Sequence, residues 1–274
     1  MSRKIAIIND ISGYGRCSTS VILPIVSHLG VQGCALPTAI FSNHTGFPSF
    51  FCQDFTGSMQ AYINEWKKLD LQFDGIMTGF LGSARQISIV QDFITSFRTP
   101  QTHVLIDPVM GDNGRMYPTY TEKLCREMKR LIAYADIVTP NLTEACFLTG
   151  TPYKEGGWKV REIDDMVHKL ADMGARNVVI TGLKMGGCIG NALATQGGAT
   201  SFQRQTQVEQ TRSGTGDVFA AILGADAVNG VEFATSVKRA SRFVRQSLIE
   251  TLKTETAHNT GIDFECTLDK LKRK

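Results

Sequence analysis

The segment SGTGDVFAAIL (213–223) joins a permissive backbone to a carboxylate: Gly214, Thr215 and Gly216 precede Asp217, and Phe219, Ile222 and Leu223 then mark one face of an amphipathic helix. Glycines let the chain turn so tightly that successive N–H groups converge, and a helix start adds about half a positive charge at the same spot. The result is an anion hole suited to a phosphoryl group in flight. At its rim Asp217 is placed to take a proton from a nucleophilic hydroxyl, and the helix start is expected to lower the pKa of that carboxyl. Ser, Thr, Gly and Asp are also ordinary N-cap residues, so helix capping alone accounts for the same letters.

VLIDPVMGDNG (104–114) puts Asp107 at a strand end before Pro108, and Asp112 in a glycine-rich loop. Two carboxylates near a phosphate site can hold Mg²⁺ directly or through its waters, as this hard cation prefers. An Asp-Pro turn followed by a plain loop is the alternative. In TPNLTEA (139–145), Asn141 and Glu144 share a face of a first helical turn, within reach of a metal or a phosphate-bound water. The same spacing is a capping-box pattern. FSNHTGF (41–47) sets Ser42, Asn43, His44 and Thr45 together after an apolar run, donors and acceptors that suit a polar heterocycle or a hydroxyl-bearing ligand. His44 reads better as a hydrogen-bonded structural histidine than as a metal ligand, because no second ligand has suitable spacing. NDISGYG (9–15) offers Asp10 and Ser12 to a small-molecule pocket or makes a turn. Phe80 in TGFLGS (78–83) stacks on a ring or belongs to the core, and Thr181-Gly182 in NVVITG (177–182) faces a nucleotide or closes a strand.

The elements that must position these groups alternate. Short apolar runs at 5–9, 33–41, 75–79, 103–107, 136–140 and 177–182 predict strands. Helical periodicity predicts helices over 18–29, 56–70, 83–98, 119–134, a short one ending at Leu148, 159–173, 215–228 and 231–252. Residues 187–204 alternate like an antiparallel hairpin. Strands that alternate with helices and are apolar throughout imply an α/β fold with a mostly parallel sheet covered on both faces, a three-layer α/β/α sandwich. Ligands of such sheets bind beyond the carboxyl ends of the strands, and the motifs fall just after strands. No linker-like composition, repeat or low-complexity stretch divides residues 1–274, which predicts a single domain.

Of the 274 residues, 42% are hydrophobic and 20% charged, which excludes a wholly disordered chain. The 29 Lys and Arg against 26 Asp and Glu leave +3, too weak a charge to argue for nucleic acid or an anionic membrane, and the tail KLKRK (270–274) reads as a solvated helix end. Seven cysteines without C-x-x-C spacing argue against a disulfide framework or a structural zinc site and fit a reducing cytosol. The N-terminus lacks a signal-peptide h-region and no run of about 18 apolar residues occurs, so a cytoplasmic protein is expected. The P-loop, the dinucleotide fingerprint after the first strand and the G-x-S-x-G nucleophile elbow are all absent.

In this order, FSNHTG, TGFLGS, DPVMGD, TPNLTEA and SGTGD resemble segments of the pyridoxal kinase family within the ribokinase-like superfamily, and they span residues 41–217. The resemblance implies ATP-dependent phosphorylation of the 5′-hydroxyl of pyridoxal, pyridoxine or pyridoxamine, with Mg²⁺, often a monovalent cation such as K⁺, and usually a homodimer. By position it makes Asp217 the catalytic base and Gly214, Thr215 and Gly216 the anion hole. Ser42 to Thr45 become the substrate loop, with Thr45 the ring contact, and Asp10, Ser12 and Phe80 lie on the substrate side. Asp107, Asn141 and Glu144, with Asp112 nearby, match metal and phosphate positions. Thr139, Thr181 and Gly182 lie near the monovalent cation and nucleotide, and Tyr117 falls in a flap over the site. Two features depart from the family. Asn9-Asp10 stands where many members have Ser-His, within DISGYG, which is closer to hydroxymethylpyrimidine kinases, and Phe80 replaces a frequent Tyr. A hydroxymethylpyrimidine kinase and a non-catalytic vitamer-binding protein of the same fold therefore stay open as alternatives.

Overall fold

Consecutive residues of the central strands are apolar on both faces, so each strand feeds two cores. A computed structural model describes residues 3–208, 212–254 and 258–271. In chain order its elements are β1 (Lys4–Tyr14), α1 (Ser18–His28), β2 (Gln32–Asn43), β3 (Cys52–Asp54), α2 (Thr56–Lys68), β4 (Gly75–Thr78), α3 (Ala84–Phe97), β5 (His103–Ile106), β6 (Gly111–Asp112), β7 (Arg115–Met116), α4 (Glu122–Ile132), β8 (Ile137–Val138), α5 (Leu142–Thr149), α6 (Val160–Asp172), β9 (Asn177–Met185), β10 (Cys188–Thr195), β11 (Ser201–Thr206), α7 (Thr215–Val228) and α8 (Phe233–Lys253). Short 3₁₀ turns follow at His258–Thr260 and Glu265–Lys270.

The main sheet runs β11-β10-β9-β8-β5-β4-β1-β2-β3. Every pairing from β2 across to β9 is parallel. The β9-β10-β11 edge and the β2-β3 edge are antiparallel. Ala6, Ile8, Ile76, Val104 and Ile106 enter one core beneath α2 to α6. Their neighbours Ile5, Ile7, Met77 and Leu105 enter the other, beneath α1, α7 and α8. Burial of each such side chain stabilises the fold by roughly 1.5–3 kcal/mol. The expected α/β/α sandwich with a mostly parallel sheet is therefore present.

Several local expectations change. Strand β1 does not stop at Asn9. A bulge between Asn9 and Ile11 lets it continue to Tyr14, paired with β2. Helix α7 is not amphipathic, because it is buried almost all round between the sheet, α1 and α8. Its one fully buried carboxylate, Asp226, is held by Ser236 Oγ and Arg239. Helix α4 begins only at Glu122, capped by Thr121, whose hydroxyl accepts from Leu124 N. At the C-terminus Lys270 ends a 3₁₀ turn and Leu271 is buried, while residues 272–274 of the KLKRK tail lie outside the described residues. No helix among the described residues is long and apolar enough to cross a membrane.

Candidate active site

A cleft of about 1550 Å³ opens where β1, β4, β5, β8 and β9 end and α7 begins. It gathers Asp10, Ser12, His44, Thr45, Phe80, Asp107, Asp112, Tyr117, Thr139, Asn141, Glu144, Thr181, Gly182 and the whole run Gly214, Thr215, Gly216 and Asp217. The parallel sheet explains the convergence, since most of these segments lie in the last residues of, or just after, strands whose carboxyl ends point the same way.

Gly214 caps α7 in the left-handed region at φ +84°. A Cβ there would stand 2.3 Å from the Arg16 carbonyl oxygen, so glycine is required on both grounds. The N–H groups of Thr215, Gly216 and Asp217 then open the helix with no intrahelical acceptor. At Gly216 a Cβ would meet nothing within 4 Å, so the space beside those amides is open. The Ser18 backbone N–H, the Asn9 side chain and Asp217's own N–H lie near enough to the Asp217 carboxyl to favour its ionised form. Ser18 is held at φ +55°, uncommon for a non-glycine residue, in the turn that presents this N–H.

Burial raises the Asp217 carboxyl to about 7, Asp10's charge adds to the rise, and the neighbouring Ser18 N–H and Asn9 side chain oppose it. The lowered pKa expected from the helix start is thus overturned, because desolvation outweighs the helix field. Asp107 is raised to about 8 by burial and by the charge of Asp217. Glu144 is raised by burial and by Asp107, and Asp10 by burial. Thr139 Oγ1 donates to Asp107 Oδ1 at 3.0 Å. Among the described residues no group of three or more His, Cys, Asp or Glu side chains could chelate a metal. Mg²⁺ fits this acidic wall as an ion that keeps its waters and takes phosphate oxygens, with Asp107 the carboxylate best placed to receive it.

Asn141 and Glu144 do something more local than their spacing alone decided. They form a reciprocal capping box: Glu144 N donates to Asn141 Oδ1 and Asn141 N donates to Glu144 Oε2. They also pin the β6-β7 hairpin. Asn141 Nδ2 donates to the Gly111 carbonyl at 2.8 Å, and Met110 N donates to Glu144 Oε1 at 3.1 Å. Thr143 Oγ1 accepts from Gly114 N. The hairpin carries Asp112 and leads to Tyr117, so the expected flap is a small hairpin clipped to the start of α5.

At the other end of the cleft, Ser12 Oγ donates to Asp10 Oδ2 at 3.1 Å, and Asp10 is only 4% exposed. Phe80 meets Phe41 edge to face with ring centroids 5.8 Å apart. His44 Nδ1 accepts from Gly46 N, so Nε2 carries the proton and donates to Asn259 O at 2.8 Å. Both ring nitrogens are occupied, as a structural histidine requires. Ser42 is not brought to the cleft. Its hydroxyl donates to Asn43 Oδ1 and accepts from Phe51 N, which ties the β2-β3 loop on the exposed side. The pleat explains this, since Ser42 follows the buried Phe41 on β2 and must point the opposite way.

The sequence reading passed over several cleft residues. Asn9, Cys17 and Ser18 line the cleft beside Asp10, and burial, then Asp217, raises the Cys17 thiol to about 12, which keeps it protonated. Lys184, Arg204, Lys238, Arg242 and Arg245 line the opposite end, and no described carboxylate forms an ion pair with them. The spacing of Lys238, Arg242 and Arg245 along one face of α8 was the available signal.

A sequence model of the phosphomethylpyrimidine kinase family matches residues 23–261. The chain is 30% identical to a pyridoxine/pyridoxal/pyridoxamine kinase of Bordetella avium, over 89% of this chain and 84% of that protein. It is 28% identical to a pyridoxal kinase of Deinococcus radiodurans, over 81% of this chain and 78% of that protein. A Bacteroides thetaiotaomicron protein, solved with pyridoxal and provisionally described as a phosphomethylpyrimidine kinase, superposes with a TM-score of 0.95 at 38% identity, covering 99% of this chain and 96% of that one. The pyridoxal kinase of Lactobacillus plantarum superposes with a TM-score of 0.90 at 25% identity over the same shares.

Proposed function

The chain belongs to the phosphomethylpyrimidine kinase family and is a kinase, and on that premise we propose that it transfers the γ-phosphoryl group of ATP to the 5′-hydroxyl of pyridoxal, pyridoxine or pyridoxamine. The observation that carries this reading is the cleft itself. Asp217 and the amides that open α7 share it with Asp10, Thr45 and Phe80 on one side and, on the other, with a rim of cations that no described carboxylate pairs. Pyridoxal in the Bacteroides relative and the vitamer kinases among the curated relatives support the choice of ring.

In this mechanism the Asp217 carboxylate orients the substrate hydroxyl and accepts its proton late. The phosphoryl-transfer transition state is loose, so bond-making lags and positioning does most of the catalysis. A pKa of about 7 leaves about half of the carboxyl ionised at neutral pH, matched to a base that must be available yet still take a proton. The N–H groups of Thr215, Gly216 and Asp217 take up charge that develops on the γ-phosphoryl oxygens. Lys184, Arg204, Lys238, Arg242 and Arg245 attract the polyanionic nucleotide to its end of the cleft. Asp107, with Thr139 steadying it and Glu144 through water, would hold Mg²⁺, which would supply positive charge to neutralise the nucleotide phosphates. Asn141 and Glu144 keep the flap of residues 110–118 down, which excludes water and suppresses ATP hydrolysis. We place K⁺ near Thr139 and Thr181 on the resemblance alone.

A second reading, phosphorylation of hydroxymethylpyrimidine, is favoured by the description of the matching family and by Asn9-Asp10 in the first loop. ADP release measured with each of the three vitamers and with hydroxymethylpyrimidine, with and without K⁺, separates the two. A kcat/KM that favours the pyrimidine overturns the vitamer assignment. Asp217→Ala in the same assay should lose about 10²–10⁴ in kcat with ATP affinity little changed. Near-full turnover would remove Asp217 from the mechanism.

A further inference from the structure

We propose that the C-terminal segment 259–262 is a positioning strap that holds the substrate loop and the phosphate turn in one fixed relation, with His44 and Gly261 the residues that set it; the proposal rests on the turn before Asp217 receiving the γ-phosphoryl group. The strap has a firm anchor. Ile262 and Phe264 are buried in the core beneath α1, α7 and α8, and Asp263 N donates to Thr251 Oγ1 at 2.8 Å. From that anchor the strap meets three loops at the cleft. Asn259 O accepts from His44 Nε2 at 2.8 Å, which ties down the substrate loop. Thr260 O accepts from Arg16 N at 3.0 Å, in the loop between β1 and α1. Ile262 N donates to Ser213 O at 3.0 Å, one residue before the Gly214 that caps α7.

These contacts are too close to absorb a displacement. The Arg16 carbonyl oxygen lies between two glycines. A Cβ on Gly214 would collide with it from the phosphate turn, and a Cβ on Gly261, at φ +83°, would stand 2.7 Å from it on the strap side. The strap therefore bears on the phosphate turn through the Arg16 peptide, as closely packed groups pass on strain. Outside this contact Arg16 Nε donates to Glu265 Oε1 at 2.9 Å, which clamps the loop to the segment that follows the strap. Asn259 lines the cleft, whereas Arg16, Thr260, Gly261 and Ile262 do not, so those four act on the reaction through the groups they hold. Amides stabilise developing charge only where they are already aimed at it, so a shifted strap costs turnover rather than ground-state affinity.

The test is ADP release, with kcat and separate KM values for ATP and the alcohol, using whichever of the three vitamers and hydroxymethylpyrimidine turns over fastest. The variants are Gly261→Ala, His44→Ala, His44→Gln and the double Gly261→Ala/His44→Ala, each checked by a thermal melt. Gly261→Ala must push the strap off Arg16 and should lower kcat about 10- to 100-fold, the scale of a misplacement of about an ångström, with both KM values within about two-fold. His44→Ala should lower kcat as well, and His44→Gln, whose amide still donates to Asn259 O, should restore most of it. Both single changes release the same strap, so the double variant should lose little more than the worse single one. Full kcat in Gly261→Ala, a loss confined to either KM, or losses that multiply in the double variant overturn the proposal. If Gly261→Ala fails to fold, the His44 pair decides: a Gln variant no better than the Ala variant overturns it. Asp217→Ala is measured alongside: retained turnover there removes the proposed mechanism, whereas its loss beside full kcat in Gly261→Ala removes only the strap.

Discussion

Replacing Asp217 by Asn should make the protein more stable at pH 8 while it abolishes most turnover. The folded chain raises this carboxyl from 3.8 to about 7, chiefly by burial. A raised carboxyl pKa means that the folded state binds a proton more readily than the unfolded state between those two values. Stability therefore falls as pH rises through that window, and the full cost is present by pH 8. About three units at ~1.4 kcal/mol each come to ~4 kcal/mol. Solvent on the open side of the cleft screens roughly half of this, which leaves ~2 kcal/mol. For a chain of this size that corresponds to a shift in Tm of roughly 4–8 °C. The assay is a series of melts from pH 5 to pH 8, in chelator and without nucleotide. Wild-type Tm should fall across the series, Asp217→Asn should melt higher at pH 8, and the gap should narrow toward pH 5, closing only below the unfolded carboxyl's pKa of 3.8. Some slope should persist in the variant, because Asp107 is also raised, to about 8. A variant that melts below wild type at pH 8, or a wild type flat from pH 5 to pH 8, would refute the claim that this carboxylate is held against its ionisation.

Two further predictions follow from the cleft walls. Gly214→Ala must place a Cβ 2.3 Å from the Arg16 carbonyl oxygen at φ +84°, so the turn has to move. It should lose ~1–3 kcal/mol of stability and most of its kcat, whereas Gly216→Ala, with open space at its Cβ, should keep its Tm and raise the KM for ATP; equal melting temperatures for the two variants would contradict the steric account. Asn141→Ala removes the donor to the Gly111 carbonyl and loosens the flap. ADP release without vitamer should then rise relative to phosphorylated product, and an unchanged ratio would mean that the flap does not exclude water.

The layers of the fold were legible because helices α2, α3, α4 and α6 each bury one stripe and the central strands bury both faces. Strand β3 was not, because Cys52, Gln53 and Asp54 are all exposed and show no alternation. The flap strands are two residues each, too short for periodicity. Yet Asn113 and Gly114, at φ +49° and +77°, are the Asn-Gly turn that commonly closes a hairpin. The site was legible as a set of segments, since any motif that follows a parallel strand arrives at the same end of the sheet. The partners of each side chain were not. Spacing alone could not show that Asn141 and Glu144 spend bonds on Gly111 and Met110, or that Ser42 turns toward Phe51. For Asp217 the local sequence displays only the helix start, while the burial and the Asp10 charge that win come from segments distant in the chain.

The departures in the first loop acquire different meanings once the hydrogen bonds are followed. Asn9 spends its carbonyl on two backbone donors, Asp10 N and Phe80 N, which ties the bulge of β1 to the segment after β4. Asp10 is left as the polar group at the substrate end, buried, steadied by Ser12 and Ser18, and raised by desolvation. A carboxyl there accepts a proton from a ring substituent when ionised and donates one when neutral, a choice that an imidazole at the same place would make at a different pH. In the proposed mechanism substrate selection turns on Asp10, while Asn9, one residue away, braces the cleft wall through Asp10 N and Phe80 N. Neighbouring positions on a bulged strand can serve separate functions in this way because the bulge breaks the strict alternation that would otherwise send them to opposite faces of the sheet.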